Sequence, residues 1–363
     1  MEAKTTLVVS LIVLLINILF FLPPPTNAAS CSNITAIFAF GDSVFDSGNN
    51  NDLPTLVRAN HLPYGKDFPG HVPTGRFCNG KLTTDILVSH LGIKNVLPAY
   101  LDPKVSDKEL LTGVSFASGG SGFDELTVKE NGALSIQNQL NYFKQALKRM
   151  QKLVGPKKVK NILEKSLFMI SAGTNDVSDN FYSLPTRAYL SMSHYHDLLL
   201  NRLEAFVNDS YKMGARKIAV AGLPPVGCLP VQMTIYSLLP SLHMFRRICV
   251  QHQKLDSQAY NSKLKALISR LHAKHSGLRL VYMDIYKPLM DMINHPSAYG
   301  YDRIHKGCCG TGSLEMGPLC NKLESTCANA SRYLFWDAVH PTQATNEHLA
   351  HNFLRTLLPQ LEA

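Results

Sequence analysis

The sequence predicts an α/β fold: a three-layer α/β/α sandwich around a five-stranded parallel sheet. Five short apolar segments carry this expectation, at residues 36–40, 114–117, 167–171, 218–221 and 280–284. They are continuous rather than alternating in hydrophobicity, as strands are when helices cover both faces of their sheet. Helical patterns separate them along the chain, and strict alternation of strand and helix favours parallel pairing through crossovers.

The helices are legible from their apolar stripes and stops. Ile136, Leu140, Phe143, Leu147, Met150 and Val154 recur at three- or four-residue steps and end at Gly155-Pro156. A second helix is expected over 189–213, closed by Gly214, and a long third over 242–275, closed by Gly277. The last carries Leu349, Phe353 and Leu357 on one stripe. No linker of Pro, Ser or Gly and no internal repeat interrupts the chain. Residues 29–363 therefore read as a single domain, near the upper size for one core.

Residues 1–28 read as a cleaved secretion signal. Lys4 precedes an apolar run from Leu7 to Phe20, Pro23-Pro24-Pro25 breaks any helix, and Ala28-Ala29 offers small residues for cleavage. The run falls short of the ~20 residues that span a bilayer and no basic cluster follows it, so no membrane span is expected. A secreted, extracellular protein is the consequence. Three sequons agree with that route, at Asn33, Asn208 and Asn329. So do eight cysteines, all beyond the leader, an even number that permits disulfides without fixing their connectivity. No Cys-x-x-Cys pair is present, which argues against a zinc ribbon.

The formal net charge is +9. Basic residues crowd 144–165 and 263–270, and they read as solvated helix faces with a weak attraction to an anionic matrix. A secreted chain excludes nucleic acid as a partner. His348/His351 and His272/His275 are one turn apart on helices and read as solvated faces, so no metal is expected. Nothing suggests a redox or nucleotide cofactor. The expected oligomeric state is a monomer.

Ligands of open parallel sheets bind beyond the carboxyl ends of the strands, and polar motifs stand there. Gly41-Asp42-Ser43 follows the first strand, where a serine on a tight turn can expose its hydroxyl; an ordinary strand-to-helix turn with a capping serine is the alternative. Ser118-Gly119-Gly120-Ser121-Gly122 follows the second, where glycines let backbone N–H groups approach a substrate, although a plain glycine loop reads equally well. Gly173-Thr174-Asn175-Asp176 follows the third, placing a neutral amide donor or an Asx-turn. In Asp337-Ala338-Val339-His340-Pro341 a carboxylate three residues before an imidazole can fix its tautomer. Each signal is weak alone; their order on these strands is what carries weight.

In that order the chain closely resembles the plant GDSL esterase/lipase branch of the SGNH hydrolases, over essentially its mature length. The blocks Thr74-Gly75-Arg76-Phe77-Cys78-Asn79-Gly80-Lys81, Gly222 to Pro230, Gly307-Cys308-Cys309-Gly310 and Tyr333 to Thr342 share the resemblance. It implies a flavodoxin-like sandwich and a serine esterase acting on carboxylic esters, be they lipid, cutin-like, acetylated polysaccharide or phenolic. It further implies Ser43 as nucleophile, Asp337 and His340 as the rest of a triad, and an oxyanion hole formed by Ser43, Gly120 and Asn175. Val177 departs from a common tyrosine and Cys78 from a common serine, which sets Cys78 apart from any shared disulfide framework. Two other classes share this sequence logic: an acyltransferase using the same acyl-enzyme, and a secreted glycoprotein with a decayed site. All five site residues are present, which favours an active hydrolase. No Gly-x-Ser-x-Gly elbow occurs, against an α/β-hydrolase.

Overall fold

A computed structural model describes residues 33–184, 186–238 and 247–362. The expected secretion signal over residues 1–28, Cys31 and the first residues of the expected 242–275 helix lie outside the described residues. Four strands form the central parallel sheet in the order β1–β2–β3–β4: β1 (Ala36–Gly41), β2 (Ser166–Ser171), β3 (Lys217–Ala221) and β4 (Arg279–Met283). The register runs Ala36 to Ser166, Leu167 to Lys217 and Lys217 to Arg279.

The expected fifth strand at 114–117 is corrected to an edge segment. It runs along the free side of β1, where Ala39 N–H donates to Val114 O, Phe116 N–H to Ala39 O and Ser118 N–H to Gly41 O. Only Ser115 pairs as a bridge, with Ala39 on one side and Ala99 on the other. A side chain replaces the rest of the outer ladder: Asn49 Nδ2 donates to Ser115 O and Ala117 O at 2.9 and 2.8 Å. The edge is thereby closed by an amide rather than left for another strand.

Helices cover both faces. On one side lie α2 (Ile136–Val154), α3 (Pro156–Glu164), α4 (Met192–Lys212) and α5 (Gln251–Lys274); on the other lie α1 (Thr83–His90), α6 (Tyr286–Asn294) and α7 (Gln343–Thr356). The strand period of two divides the side chains between them. Phe38, Phe40, Phe168 and Ile170 point into the first layer with Phe143, while Ile37, Ala39, Leu167 and Met169 point into the second with Leu349 and Phe353. The α2 stripe matches the expected helix end to end. By contrast α4 begins at Met192, where Ser191 Oγ caps the helix through His194 N–H. And α5 begins at Gln251 rather than 242. Cys249 is bridged to Cys228, and Val250 N–H donates to Gly227 O at 2.8 Å, so this segment is held extended. Among the described residues no helix is long and apolar enough to cross a membrane.

A small parallel pair, β5 (Arg303–Gly307) with β6 (Tyr333–Phe335), was not legible in the sequence. It frames a third apolar cluster of Tyr64, Phe77 and Trp336 with Cys308, Cys309 and Cys320. Disulfides join Cys308 to Cys327 and Cys309 to Cys320. Among the described cysteines Cys78 is free and buried, in keeping with its departure from the family pattern. Burial pushes that thiol up to about 12.

The loop from Thr74 to Leu82 is anchored by a buried ion pair. Arg76 meets Asp85 through two bonds of 2.8 Å, and its guanidinium also donates to the carbonyls of Ser47 and Leu97. Asp85 in turn accepts the N–H groups of Leu82 and Leu97. Removing one partner of such a pair strands the other charge in the interior. Arg76→Met is therefore expected to cost about 3–5 kcal/mol of stability in chemical denaturation. A loss below about 1 kcal/mol would mean that the pair is solvated in practice.

Candidate active site

The polar motifs meet at the carboxyl end of the sheet. Ser43 stands just past β1 on a turn that only glycine permits: Gly41 has φ +126°, and a Cβ there would lie 1.7 Å from Ser171 O. Gln139, reaching in from α2, clamps the Gly41 peptide, accepting its N–H at 2.8 Å and donating to its carbonyl at 2.9 Å. Asp46 then ties this turn to the glycine loop, accepting N–H groups from Gly48, Asn49 and Gly119. Such fixed supports hold a hydroxyl in one place, which chemistry at that hydroxyl requires.

Ser43, His340 and Asp337 form one hydrogen-bonded chain. Ser43 Oγ lies 2.7 Å from His340 Nε2, and His340 Nδ1 lies 2.7 Å from Asp337 Oδ2. All three residues are buried. A carboxylate only accepts, so Nδ1 carries the proton and Nε2 is free to accept from the serine. Asp337 Oδ1 accepts the N–H groups of Val339 and His340 at 2.8 and 2.7 Å. Its Oδ2 also accepts the Tyr64 hydroxyl at 2.7 Å, and that hydroxyl takes the Gly317 N–H at 2.8 Å.

Tyr64 is a positioning residue that the sequence did not reveal. It comes from a loop 273 residues away from Asp337, so no spacing could have pointed to it. The same holds for Gln139. The Cys308-Cys309 block also acquires a reason: the N–H groups of both cysteines donate to Trp336 O, and a Cβ on Gly307 would meet Asp337 O at 2.5 Å. Two disulfides thus back the loop that carries Asp337 and His340. From the same apolar cluster the Phe77 ring packs 5.0 Å from the His340 ring.

Asn175 opens the short helix Thr174–Val177 after β2 and lines the same pocket as Ser43. Its Nδ2 donates one hydrogen to Ser121 O at 2.9 Å, which orients the amide and leaves the other hydrogen for a ligand. Asp176 secures this turn to the glycine loop by accepting from Phe123 N–H, Asp124 N–H and the Thr127 hydroxyl. Gly120 is buried with φ +79°, between Val57 and Asn131, and does not line the pocket at Ser43. Its N–H meets no protein acceptor among the described residues, nor does the N–H of Ser43, whereas Gly119 N–H is taken by Asp46. Ser118 and Ser121 are tied inward, to Asn50 Oδ1 and Leu134 O.

Burial dominates the electrostatics. It pushes the carboxyl of Asp42, next to Ser43, up to about 7, against the pull of the Val44 N–H and of His340. Asp46 and Asp176 are raised to about 6 by the same desolvation, opposed by their N–H and hydroxyl donors. Among the described residues no group of three or more His, Cys, Asp or Glu converges as a metal site would. An imidazole oriented in this way can take the proton of the serine hydroxyl it faces, and an apolar pocket adjoins that hydroxyl.

Known proteins match this chain along nearly its whole length. The family model for GDSL-like lipases and acylhydrolases matches residues 37–353. A GDSL esterase/lipase of Arabidopsis thaliana is 49% identical over 348 residues, 96% of each chain. A second from the same plant is 43% identical over 334 residues, 91% of this chain and 90% of its own. A third is 44% identical over 313 residues, 86% of each. The family match takes in Ser43, Asp337 and His340: the protein belongs to the GDSL lipase/acylhydrolase family and is an ester-hydrolysing enzyme.

Proposed function

We propose that the enzyme cleaves carboxylic esters through an acyl-enzyme on Ser43. The observation that carries this reading is the unbroken chain from Ser43 Oγ through His340 to Asp337, 2.7 Å at both links. His340 Nε2 takes the serine proton as Oγ attacks the ester carbonyl, and Asp337 stabilises the imidazolium that forms. The N–H of Ser43 and the Asn175 amide hold the tetrahedral oxyanion, with the N–H of Gly120, set back from the pocket lining, as the third donor that the family resemblance implies. As that intermediate collapses, His340 protonates the departing alcohol. It then draws a proton from water as that water attacks the acyl carbon, and returns the proton to Oγ as the acid departs, which restores Ser43.

The Asn175 share of this scheme has its own signature. A donor aimed at a charge that exists only in the transition state lowers the barrier without tightening ground-state binding. Asn175→Ala is expected to lower kcat by roughly 10²–10³ with little change in KM. Wild-type kcat, or an effect confined to KM, would make Asn175 a turn residue instead.

We also propose that residues 1–28 are removed during secretion and that residues 29–363 act as one extracellular domain. The residues from Asn33 onward form one compact unit, which supports a single domain. Of the sequons, Asn33 and Asn329 are exposed, while Asn208 is half-buried on α4 with its Oδ1 on His275. Three disulfides fit an oxidising route. Expression in a eukaryotic secretory host should give a glycosylated product in the medium that lacks its leader. A full-length, unglycosylated cytosolic product would refute the assignment.

A further inference from the structure

Asn329 stands on the wall of a polar groove of about 260 Å³, away from Ser43. Three segments of the chain build that groove. Lys66, Asp67 and Asn79 come from the loop ahead of α1, Ser331 from the turn that holds the sequon, and Gln343 and Glu347 from the first turns of α7. The same segments frame the catalytic chain. Residues 63–81 carry Tyr64, which bonds to Asp337, and Phe77, which packs on His340. The chain from 333 into α7 carries Asp337 and His340 themselves.

The turn at Asn329 is set, and one of its atoms is spare. Asn329 is exposed, and its Oδ1 accepts the Ser331 N–H at 3.0 Å and the Ser331 hydroxyl at 2.7 Å, which fixes the amide plane. Its Nδ2 meets no acceptor among the described residues. The groove also keeps unused polar atoms. Asp67 gives Oδ2 to Asn79 Nδ2 at 2.7 Å, and Glu347 gives Oε1 to Gln343 Nε2 at 2.9 Å. Asp67 Oδ1 and Glu347 Oε2 have no partner among the described residues. Lys66 Nζ donates to Thr326 Oγ1 and Cys327 O and has a third hydrogen left.

We propose that Asn329 carries an N-linked glycan whose first N-acetylglucosamine seats in this groove and fastens the loop at 66–79 to α7. The inference rests on the secretory route proposed above. On that route Asn329 Nδ2 forms a bond to the anomeric carbon of a lipid-diphosphate-linked oligosaccharide. The bond from that carbon to the diphosphate breaks, and Nδ2 gives up one proton. The groove suits such a sugar because its free atoms match the ring's own. Carboxylate oxygens on Asp67 and Glu347 accept from ring hydroxyls, and the Lys66 ammonium donates to the acetamido oxygen. Those two carboxylates belong to different segments, so a ring that bonds both resists their separation. Sugars beyond the first extend into solvent and add nothing to that tie.

The test uses full-length protein expressed in a eukaryotic secretory host, with peptide mass spectrometry to find the glycan on Asn329. Trimming by an endoglycosidase that leaves one N-acetylglucosamine should not change Tm. Ser331→Ala, which removes the sequon, should lower Tm by about 2–3 °C and speed amide exchange over 63–81 roughly tenfold. Asn329→Gln supplies the bare chain if Ser331→Ala fails to fold. Both variants also disturb the turn, so the deciding arm adds Glu347→Ala to each background. The bond to Gln343 is lost in either case, but a contact with the sugar is lost only where the sugar is present. Glu347→Ala should therefore lower Tm more in the glycosylated chain than in the bare one. An equal loss in both backgrounds overturns the proposal, and so does a secreted, glycosylated protein whose Asn329 is bare. A protein retained in the cell with no glycan at any sequon refutes the secretory route, and this proposal with it.

Discussion

Replacing Ser43 by alanine is expected to lower kcat by about 10⁶, the scale seen when the nucleophile of a serine hydrolase is removed. Among the described residues Ser43 Oγ bonds to His340 Nε2 alone, so the fold loses little with it. Melting should stay close to the wild type while hydrolysis disappears from a routine assay. The proposed oxyanion donors are untouched by this substitution, and a residual rate of roughly 10³–10⁴ over water is expected from them. Activity within tenfold of the wild type would remove Ser43 from the mechanism.

Asp337→Asn is expected to have the next largest effect, a fall of about 10⁴ in kcat. The reason lies in what surrounds the carboxylate. Oδ1 accepts two backbone N–H groups, from Val339 and His340, so an asparagine must keep its oxygen there. Its NH₂ group then faces His340 Nδ1, where Asp337 Oδ2 stood. Two donors cannot share that contact, so Nδ1 becomes the acceptor and the proton moves to Nε2. An imidazole in that tautomer cannot take the serine proton. Alkaline pH, which favours ionisation of the serine without the imidazole, should recover part of the rate. The Tyr64 hydroxyl, now facing a donor, loses its acceptor as well. A pH profile parallel to the wild type, with only a small loss in kcat, would show that Asp337 does not set the tautomer.

Much of this site was legible in the sequence because its parts lie at strand ends, and strand ends leave local signatures. Gly41, Asn175 and the Asp337–His340 step are each read from a few neighbouring residues, and the structure brings Ser43, Asn175, Asp337 and His340 to one end of the sheet. Gly120 was placed by likeness to a motif, and its surroundings of Val57 and Asn131 could not be foreseen from a glycine run. What spacing could not convey were the partners that fix those parts. Tyr64 on Asp337, Gln139 on Gly41 and Arg76 on Asp85 join loops whose proximity exists only after folding. The edge at 114–117 is a similar case. Its apolar run reads as a strand, but on the outer side the backbone of Pro98 and Tyr100 meets it at Ser115, and the Asn49 amide takes the carbonyls of Ser115 and Ala117. The start of α5 was misread for a covalent reason, since the Cys228–Cys249 bridge holds the preceding segment out of the helix.

In the proposed mechanism Ser43 is the hydroxyl that His340 activates. Other serines stand close by in the chain's polar loops, but Ser118 and Ser121 are buried and donate inward to Asn50 and Leu134. The most direct measurement is to treat the active enzyme with a serine-reactive organophosphonate and map the adduct by peptide mass spectrometry. One adduct per chain, on the peptide bearing Ser43 and lost in Ser43→Ala, is the predicted result. An adduct on Ser118 or Ser121, or none on an enzyme that still hydrolyses esters, would contradict it.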